Sequence, residues 1–267
     1  MLLSFVILTF NSERYISRCI DSIFQSVSPQ FESEIYVVDN GSIDDTCKIL
    51  DSKKAIQSIR LKKNLGTTVS RNIAIKRCKG TYIVIMDSDV EIINLDWSNM
   101  LREFRGNIGM VVPRLRLPDG RIQHSVKRFP RFHWRLRKLK KKFLKVEVND
   151  KELYSDLQDV EFPDTAISAF WILRREILKS VGLFDEKIFY SPEDIDFCVR
   201  LWREGFAIKY YLSADIIHHT QQITDKRPFS YISVSFLVNF LYYFWKHGYC
   251  FNTDALDEMK KNVLRKL

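Results

Sequence analysis

Residues Ile83-Val84-Ile85-Met86 run directly into Asp87-Ser88-Asp89, and this junction constrains the chain more than any other stretch. A short apolar run bounded by polar residues reads as a buried strand. Side chains alternate faces along a strand, so Asp87 and Asp89 point the same way where it ends. In open α/β sheets, ligands bind in the crevice outside the carboxyl ends of the strands. Two hard oxygen ligands there suit a divalent cation held against a substrate diphosphate. Asp-x-Asp is also common in turns and caps, so the tripeptide alone leaves a plain turn open.

The residues before this junction alternate between two periods. Residues 3–8 read as a strand, and residues 13–24 as a helix with Tyr15, Ile16, Cys19, Ile20 and Ile23 at helical spacing and Asn11 or Ser12 as N-cap. Residues 34–38 form a second strand ending at Asp39, followed by the turn Asn40-Gly41-Ser42 and a helix through Leu50 capped by Asp44 or Asp45. A short strand at 58–61, a loop at 64–66 and a helix at 67–77, stopped by Lys79-Gly80, lead into the strand that ends at Asp87. Such alternation with short links implies a mostly parallel, doubly wound α/β sheet. Neither G-x-G-x-x-G nor G-x-x-x-x-G-K-[ST] occurs, which argues against Rossmann dehydrogenases and P-loop enzymes.

Bulk properties add limits. With 46% hydrophobic and 28% charged residues, the 267-residue chain has a globular composition and length enough for a sizeable core. Its five cysteines are scattered without C-x-x-C spacing, arguing for a reducing compartment and against a disulfide framework or zinc site. The apolar N-terminus lacks a basic region and a cleavage site and reads as a strand. No run approaches the roughly 20 apolar residues of a spanning helix, so a cytoplasmic location is expected.

Five short motifs then occur in order: Val6-Ile7-Leu8-Thr9-Phe10-Asn11, the run from Val37 to Thr46, Asn64-Leu65-Gly66, Arg71-Asn72 and Asp87-Ser88-Asp89. They continue through Pro118 to Gln123, Ser168 to Arg175, Gly182 to Glu186, Glu193 to Arg200 and Ile216-Ile217-His218. Together, over about residues 3–220, they resemble family 2 glycosyltransferases of the GT-A fold, most closely bacterial rhamnosyltransferases. The resemblance implies a GT-A domain over 1–225, with a nucleotide-binding half at 1–112 and an acceptor and catalytic half at 113–225. A C-terminal helical segment would occupy 226–267.

The same resemblance assigns roles. Asp39 would accept the imide N–H of uracil or thymine, and Thr9 with the backbone around Asn11 would close over base and ribose. Each of these also fits an ordinary turn or strand end. Gly66 would let the backbone approach the ligand, and Arg71 would bring a cation near the nucleotide or phosphates; a loop glycine and a surface arginine are the plain alternatives. Asp89 would coordinate Mn²⁺ or Mg²⁺, with Asp87 on the ribose or on the metal through water. His218, following an apolar pair, would supply an imidazole, though His219 competes for that role. The cation would neutralise charge on the leaving nucleoside diphosphate.

Glu193-Asp194 opens a helix after the turn Tyr190-Ser191-Pro192. Acids in a first turn are favoured by the helix dipole alone. The resemblance makes Asp194 the general base for the acceptor hydroxyl in an inverting displacement, and Glu193 a residue that contacts the acceptor. Asp196 and Arg200 are four apart and read as a structural pair. Phe170 and Trp171 would face donor sugar and acceptor, with core packing as the alternative.

Two regions lie outside the motifs. Residues 131–145 carry eight Lys and Arg and no acid, with Phe132, Leu136, Leu139 and Phe143 on one helical face. This basic insertion suits an anionic membrane surface, a solvated loop, a nucleic-acid patch, or pairing with the acidic stretch 147–164. Residues 229–251 are aromatic-rich but interrupted, reading as an amphipathic helix that docks on the domain or on lipid, and 253–267 read as a charged helix. The expectation is an inverting, metal-dependent enzyme. It would move a sugar, with rhamnose the candidate, from a UDP- or dTDP-linked donor to a cell-surface glycan or lipid-linked acceptor. A catalytically degenerate interaction module is the rival, and the intact set Asp39, Asp87, Asp89, Asp194 and His218 argues against it. Nucleic acid is not an expected partner, because that reading leaves the carboxylates unexplained.

Overall fold

The computed structural model describes residues 1–134, 151–220, 231–248 and 254–267. Its centre is an eight-stranded sheet: β1 (Leu2–Thr9), β2 (Glu32–Asp39), β3 (Gln57–Arg60), β4 (Tyr82–Asp87), β5 (Val90–Leu95), β6 (Ile108–Arg116), β9 (Phe170–Arg174) and β10 (Ala207–His218). The spatial order is β3-β2-β1-β4-β9-β6-β10-β5. The pairs β3–β2, β2–β1 and β1–β4 are parallel, as is β6–β10. β9 and β5 run against their neighbours. A two-stranded sheet of β7 (Val126–Lys127) and β8 (Thr165–Ala166) lies apart.

The helices are α1 (Ile16–Ser26), α2 (Thr46–Ser52), α3 (Thr67–Ile75), α4 (Trp97–Arg102), α5 (Leu178–Val181), α6 (Glu193–Arg203), α7 (Tyr231–His247) and α8 (Asp254–Leu264). α1 begins three residues later than its apolar spacing predicts. The N–H groups of Tyr15 and Ile16 both bond the Ser12 carbonyl, so residues 12–15 form a turn first. Neither Asn11 nor Ser12 caps it; Tyr15 holds the N-cap position without a side-chain bond.

The core follows from the burial pattern of the parallel strands. Every residue of β4 from Ile83 to Met86 is fully buried, as both faces are covered. On the far side of the sheet, Trp171 stacks against Phe184 at 6.0 Å and packs on Phe197 at 5.6 Å. Burying rings of this size contributes roughly 2–3 kcal/mol each.

The C-terminal helices dock on the domain. Phe240, Tyr243 and Phe244 of α7 are buried, while Val238, Leu241 and Trp245 are exposed. In α8, Leu256 and Val263 are buried. Of the basic insertion only residues 131–134 are described, and Phe132 meets Phe244 edge-on at 5.2 Å. The helical expectation for 135–145 lies outside the described residues. Within them, the Arg131 partner is Asp257 of α8, at 2.7 Å, rather than the acidic stretch that follows it in sequence.

Candidate active site

Three neighbouring parallel strands end in register. Leu8 of β1 pairs with Asp87 of β4, and Thr9 pairs with Asp39 of β2. The loops that follow these strands, with residues 188–194 and the end of β10, enclose a cavity of about 380 Å³. It therefore opens at the carboxyl edge of the sheet, where the strand order predicts a ligand.

Asp87, Asp89 and His218 converge there, with ligand atoms all within 4.8 Å of one another. His218 Nδ1–H donates to Gln123 Oε1 at 2.9 Å, which turns Nε2 toward Asp89 at 3.4 Å. Fixing one ring nitrogen in this way orients the other for a ligand role. Burial works against the His218 imidazolium, but the bond to Asp89 and the charges of Asp89 and Asp87 raise its pKa overall. His219 points elsewhere: its Nε2 lies 3.1 Å from Glu91 and its ring stacks on Tyr15 at 5.2 Å. The structure thus separates two histidines that the sequence leaves equivalent.

Arg71 is not a surface cation. It is 2% exposed and crosses the site, its Nη2 2.7 Å from Asp87 and its Nη1 2.7 Å from Ser168 Oγ and 3.3 Å from Glu193. Burial opposes its charge, yet Asp87 and Glu193 hold the guanidinium ionised above its usual range. Arg71 thus lines the cavity as a clamp between the strand-end acid Asp87 and the first turn of α6. Burial raises the Asp87 pKa, with Asp89 adding to it and Arg71 opposing. Burial and the charge of Asp194 push Glu193 up to about 8, against the pull of Arg71 and Ser168. Asp194 lines the cavity, its Oδ1 accepting from the Ile195 N–H at 2.8 Å.

Among the described residues, the cavity wall therefore carries four carboxylates (Asp87, Asp89, Glu193 and Asp194) against one guanidinium. An excess of negative charge beside two carboxylates and an imidazole is the donor set of a divalent cation such as Mn²⁺ or Mg²⁺, and the residues fit it. Asp87, Asp89 and His218 would hold it.

The remaining sequence candidates are distributed less simply. Gly66 lines the cavity at φ +86°, and a Cβ there would lie 2.3 Å from the Phe189 carbonyl oxygen, so only glycine fits. Asp39 is 2% exposed and its carboxylate accepts from the Ser42 N–H at 3.2 Å and from the Ser42 hydroxyl. Its neighbour Asn40 reaches the cavity wall instead. Thr9 is buried, with Leu8 and Phe10 lining the cavity on either side. Asn11 sits outside the wall at φ 50°, its Oδ1 accepting from the Ile43 N–H at 2.9 Å and thereby bracing the Asn40 turn. Phe170 and Trp171 depart from their expected role. Both are at most 1% exposed within β9, and the wall is formed by Ser168 and Ala169 just before them. Alternation points the two rings to opposite faces of β9, and because this strand lies inside the sheet with both faces covered, both enter the core.

Three contributors were missed. Gln123 lies in a quoted motif but gains its meaning only from His218. Ser168 bonds Arg71 and Glu193, at 2.7 and 3.1 Å. Asn40, legible only as a turn residue, binds Asn64 Oδ1 at 2.9 Å, the Leu65 N–H at 2.9 Å and Ser70 Oγ at 2.9 Å.

Comparison with known proteins fits this geometry. The profile described as Glycosyl transferase family 2 matches residues 4–182. Over 116 residues the chain is 37% identical to the poly(ribitol-phosphate) beta-glucosyltransferase of Bacillus spizizenii, covering 40% of this chain and 18% of that protein. It is 29% identical to the teichoic acid poly(glycerol phosphate) polymerase of Staphylococcus epidermidis, covering 42% of this chain and 16% of that one. The matched stretch is thus a small part of either relative, and neither name mentions rhamnose. Among solved structures, S. aureus TarS 1-349 in complex with UDP-GlcNAc aligns at TM-score 0.60 and 19% identity, covering 100% of this chain and 72% of that one. GalNAc-T7 with UDP, GalNAc and Mn²⁺ aligns at TM-score 0.70 and 16% identity, covering 92% and 49%. Both likenesses concern the fold, which is the GT-A arrangement expected from the sequence. With the profile running from β1 through α5 over that fold, the chain belongs to glycosyl transferase family 2.

Proposed function

We propose that this chain transfers a sugar from a UDP- or dTDP-linked donor to a hydroxyl of a cell-surface glycan, inverting the anomeric centre. The carrying observation is that Asp87, Asp89 and His218 share one cavity with Asp194. A cation bound at the first three would offset negative charge on a diphosphate leaving group. Asp194, as a carboxylate lining the same cavity, would accept the acceptor hydroxyl's proton at one of its oxygens. Glu193, braced by Arg71 and Ser168, would orient the acceptor. Asp39 would take the imide N–H of the base, exchanging its present Ser42 partner for the ligand.

The relatives named above act, by their names, on poly(ribitol phosphate) or poly(glycerol phosphate), which favours a phosphate-bearing acceptor. Rhamnose stays a donor candidate through the motif resemblance, and a lipid-linked acceptor stays an acceptor candidate. Peripheral contact with an anionic membrane at its cytoplasmic face completes the reading. Val238, Leu241 and Trp245 line one exposed face of α7, and the acid-free run 131–145 includes Phe132, which packs on that helix. Among the described residues, no helix is long and apolar enough to cross a membrane.

The test is donor hydrolysis and transfer across UDP-glucose, UDP-N-acetylglucosamine and dTDP-rhamnose with Mn²⁺. At least one donor should turn over, with activity lost in EDTA and in Asp89→Ala while thermal stability is nearly unchanged. Full activity in EDTA would remove the metal from the scheme.

A further inference from the structure

The C-terminal helix closes a second cavity, of about 350 Å³, against the end of β7 and the residues leading into β8. Its walls bring together Arg128, Arg131, Lys260 and Lys261 with the rings of Trp134 and Tyr154. Two of these cations are already matched. Arg131 pairs with Asp257 at 2.7 Å, and Lys260 donates to Asp164 and to the Phe162 carbonyl. Arg128 and Lys261 are exposed, and neither has an acidic partner among the described residues. The Arg128 guanidinium lies 5.0 Å from the Tyr154 ring centre, and that of Arg131 lies 5.0 Å from Trp134. Two unmatched cations beside flat aromatic surfaces suit a ligand that alternates anionic groups with C–H-rich polyol or sugar units.

The position of the cavity adds to its chemistry. Asp164 lies on its wall, β8 follows immediately, and Ile167 and Ser168 line the first cavity. Three residues of extended chain span about 10 Å. The walls of the two cavities are therefore joined by about 10 Å of chain.

We propose that this second cavity holds a phosphate-bearing polyol or sugar segment of the acceptor, behind the terminal hydroxyl that lies at Asp194. The proposal rests on the glycosyl-transfer reading and names its acceptor class. Arg128 and Lys261 would contact phosphate, and Trp134 and Tyr154 would pack against the carbon skeleton. The site would lengthen the acceptor's residence without touching the donor.

Binding of purified poly(ribitol phosphate) to the full chain, measured by calorimetry against neutral dextran of similar length, tests this. Wild type should bind the polyanion and not dextran, with an affinity that falls as salt rises. The double variant Arg128→Gln, Lys261→Gln should bind about tenfold more weakly, because it loses two charge-assisted contacts. It should keep wild-type donor hydrolysis, since neither side chain lines the first cavity. Equal polymer affinity in the double variant would overturn the proposal, as would equal binding of dextran. Pocket-dependent binding of anionic vesicles without polymer binding would also overturn it and make the cavity a lipid site. Failure of wild type to hydrolyse any donor falls on the transfer reading instead, and the polymer titration still decides the cavity.

Discussion

The first turn of α6 buries two carboxylates, three residues apart, against different neighbours and treats them in opposite ways. Glu193, facing the cavity, has Asp194 as a neighbour and, among the described residues, Arg71 as its one cation, and it is pushed up to about 8. Asp196, at the back where α6 meets α7, lies 2.9 Å from Arg200, 2.6 Å from Lys246 and 2.8 Å from His247. Although burial alone would raise it, those three partners hold Asp196 well below the usual carboxylate range. The difference teaches where the helix is anchored and where it is poised. Its back is pinned by ion pairs to α7, while its front keeps acids in excess of cations, an arrangement found where protons or metals are handled. Lys246 also reaches Asp185 at 2.6 Å, so α7 ties the end of α6 to the loop that leads toward the cavity.

The sharpest way to break this contrast is chemical. If the front is the reactive face, Asp194→Asn should bind donor near-normally yet lose about 10²–10⁴ in turnover, the range for removing a general base. Comparing kcat and KM checks it. A variant that keeps turnover and loses donor affinity would move Asp194 from proton transfer to binding.

A second test weighs the two faces by stability. Arg71→Met leaves Asp87 and Glu193 without their shared cation and should cost about 3–5 kcal/mol in denaturant unfolding. Asp196→Asn should cost less, about 2–3 kcal/mol, because Lys246 and Arg200 are partly exposed and regain water. Equal costs would erase the contrast, and reversed costs would mean that the back carries the greater electrostatic strain.

The pH dependence sharpens the same point. Glu193 is raised in the fold, so the native state binds the extra proton between its ordinary value near 4.5 and about 8. Stability from this group therefore falls as pH rises through that window. Glu193→Gln should remove the fall, so its Tm relative to wild type increases from pH 5 to pH 8. Asp196 has the opposite sign: its contribution is present above the ordinary value of 3.8 and is lost only in more acidic solution. Parallel Tm curves for wild type and Glu193→Gln would remove the contrast.

The smallest expected effect concerns the outer face of α7. Trp245 is 77% exposed, and Trp245→Ser should weaken co-sedimentation with anionic vesicles a few-fold at low salt. Charge reversal at Lys140, Lys141 and Lys142 should weaken it further, since each nearby cation contributes about 1 kcal/mol. No binding of wild type to anionic vesicles would leave α7 purely as a brace.

Legibility in the sequence followed the range of the interactions concerned. The strand endings at Asp39 and Asp87, the helix opened by Glu193 and the Asp196–Arg200 pair were all readable, because each depends on local periodicity and on neighbours within one turn or one strand. The convergent group Asp87, Asp89 and His218 could be named from the motif resemblance, but the orientation of His218 over His219 could not. That choice depends on Gln123, ninety-five positions away in sequence, and on Glu91 across the β5–β10 ladder. Arg71 reads as a cation near the nucleotide or as a surface arginine until the fold closes Ser168 and Glu193 over it. Phe170 and Trp171 carry the right chemistry for a sugar, but the antiparallel pairing of β9 with β4 turns them into the core. The residue pattern alone settles the order of strands and helices as far as Asp87 and the carboxylates at those strand ends, since hydrophobic period and turn chemistry act over a few residues. Which acid is compensated, which histidine faces the cavity and which aromatic is buried was settled only in three dimensions, where charges and rings from distant segments meet in a medium that screens them poorly.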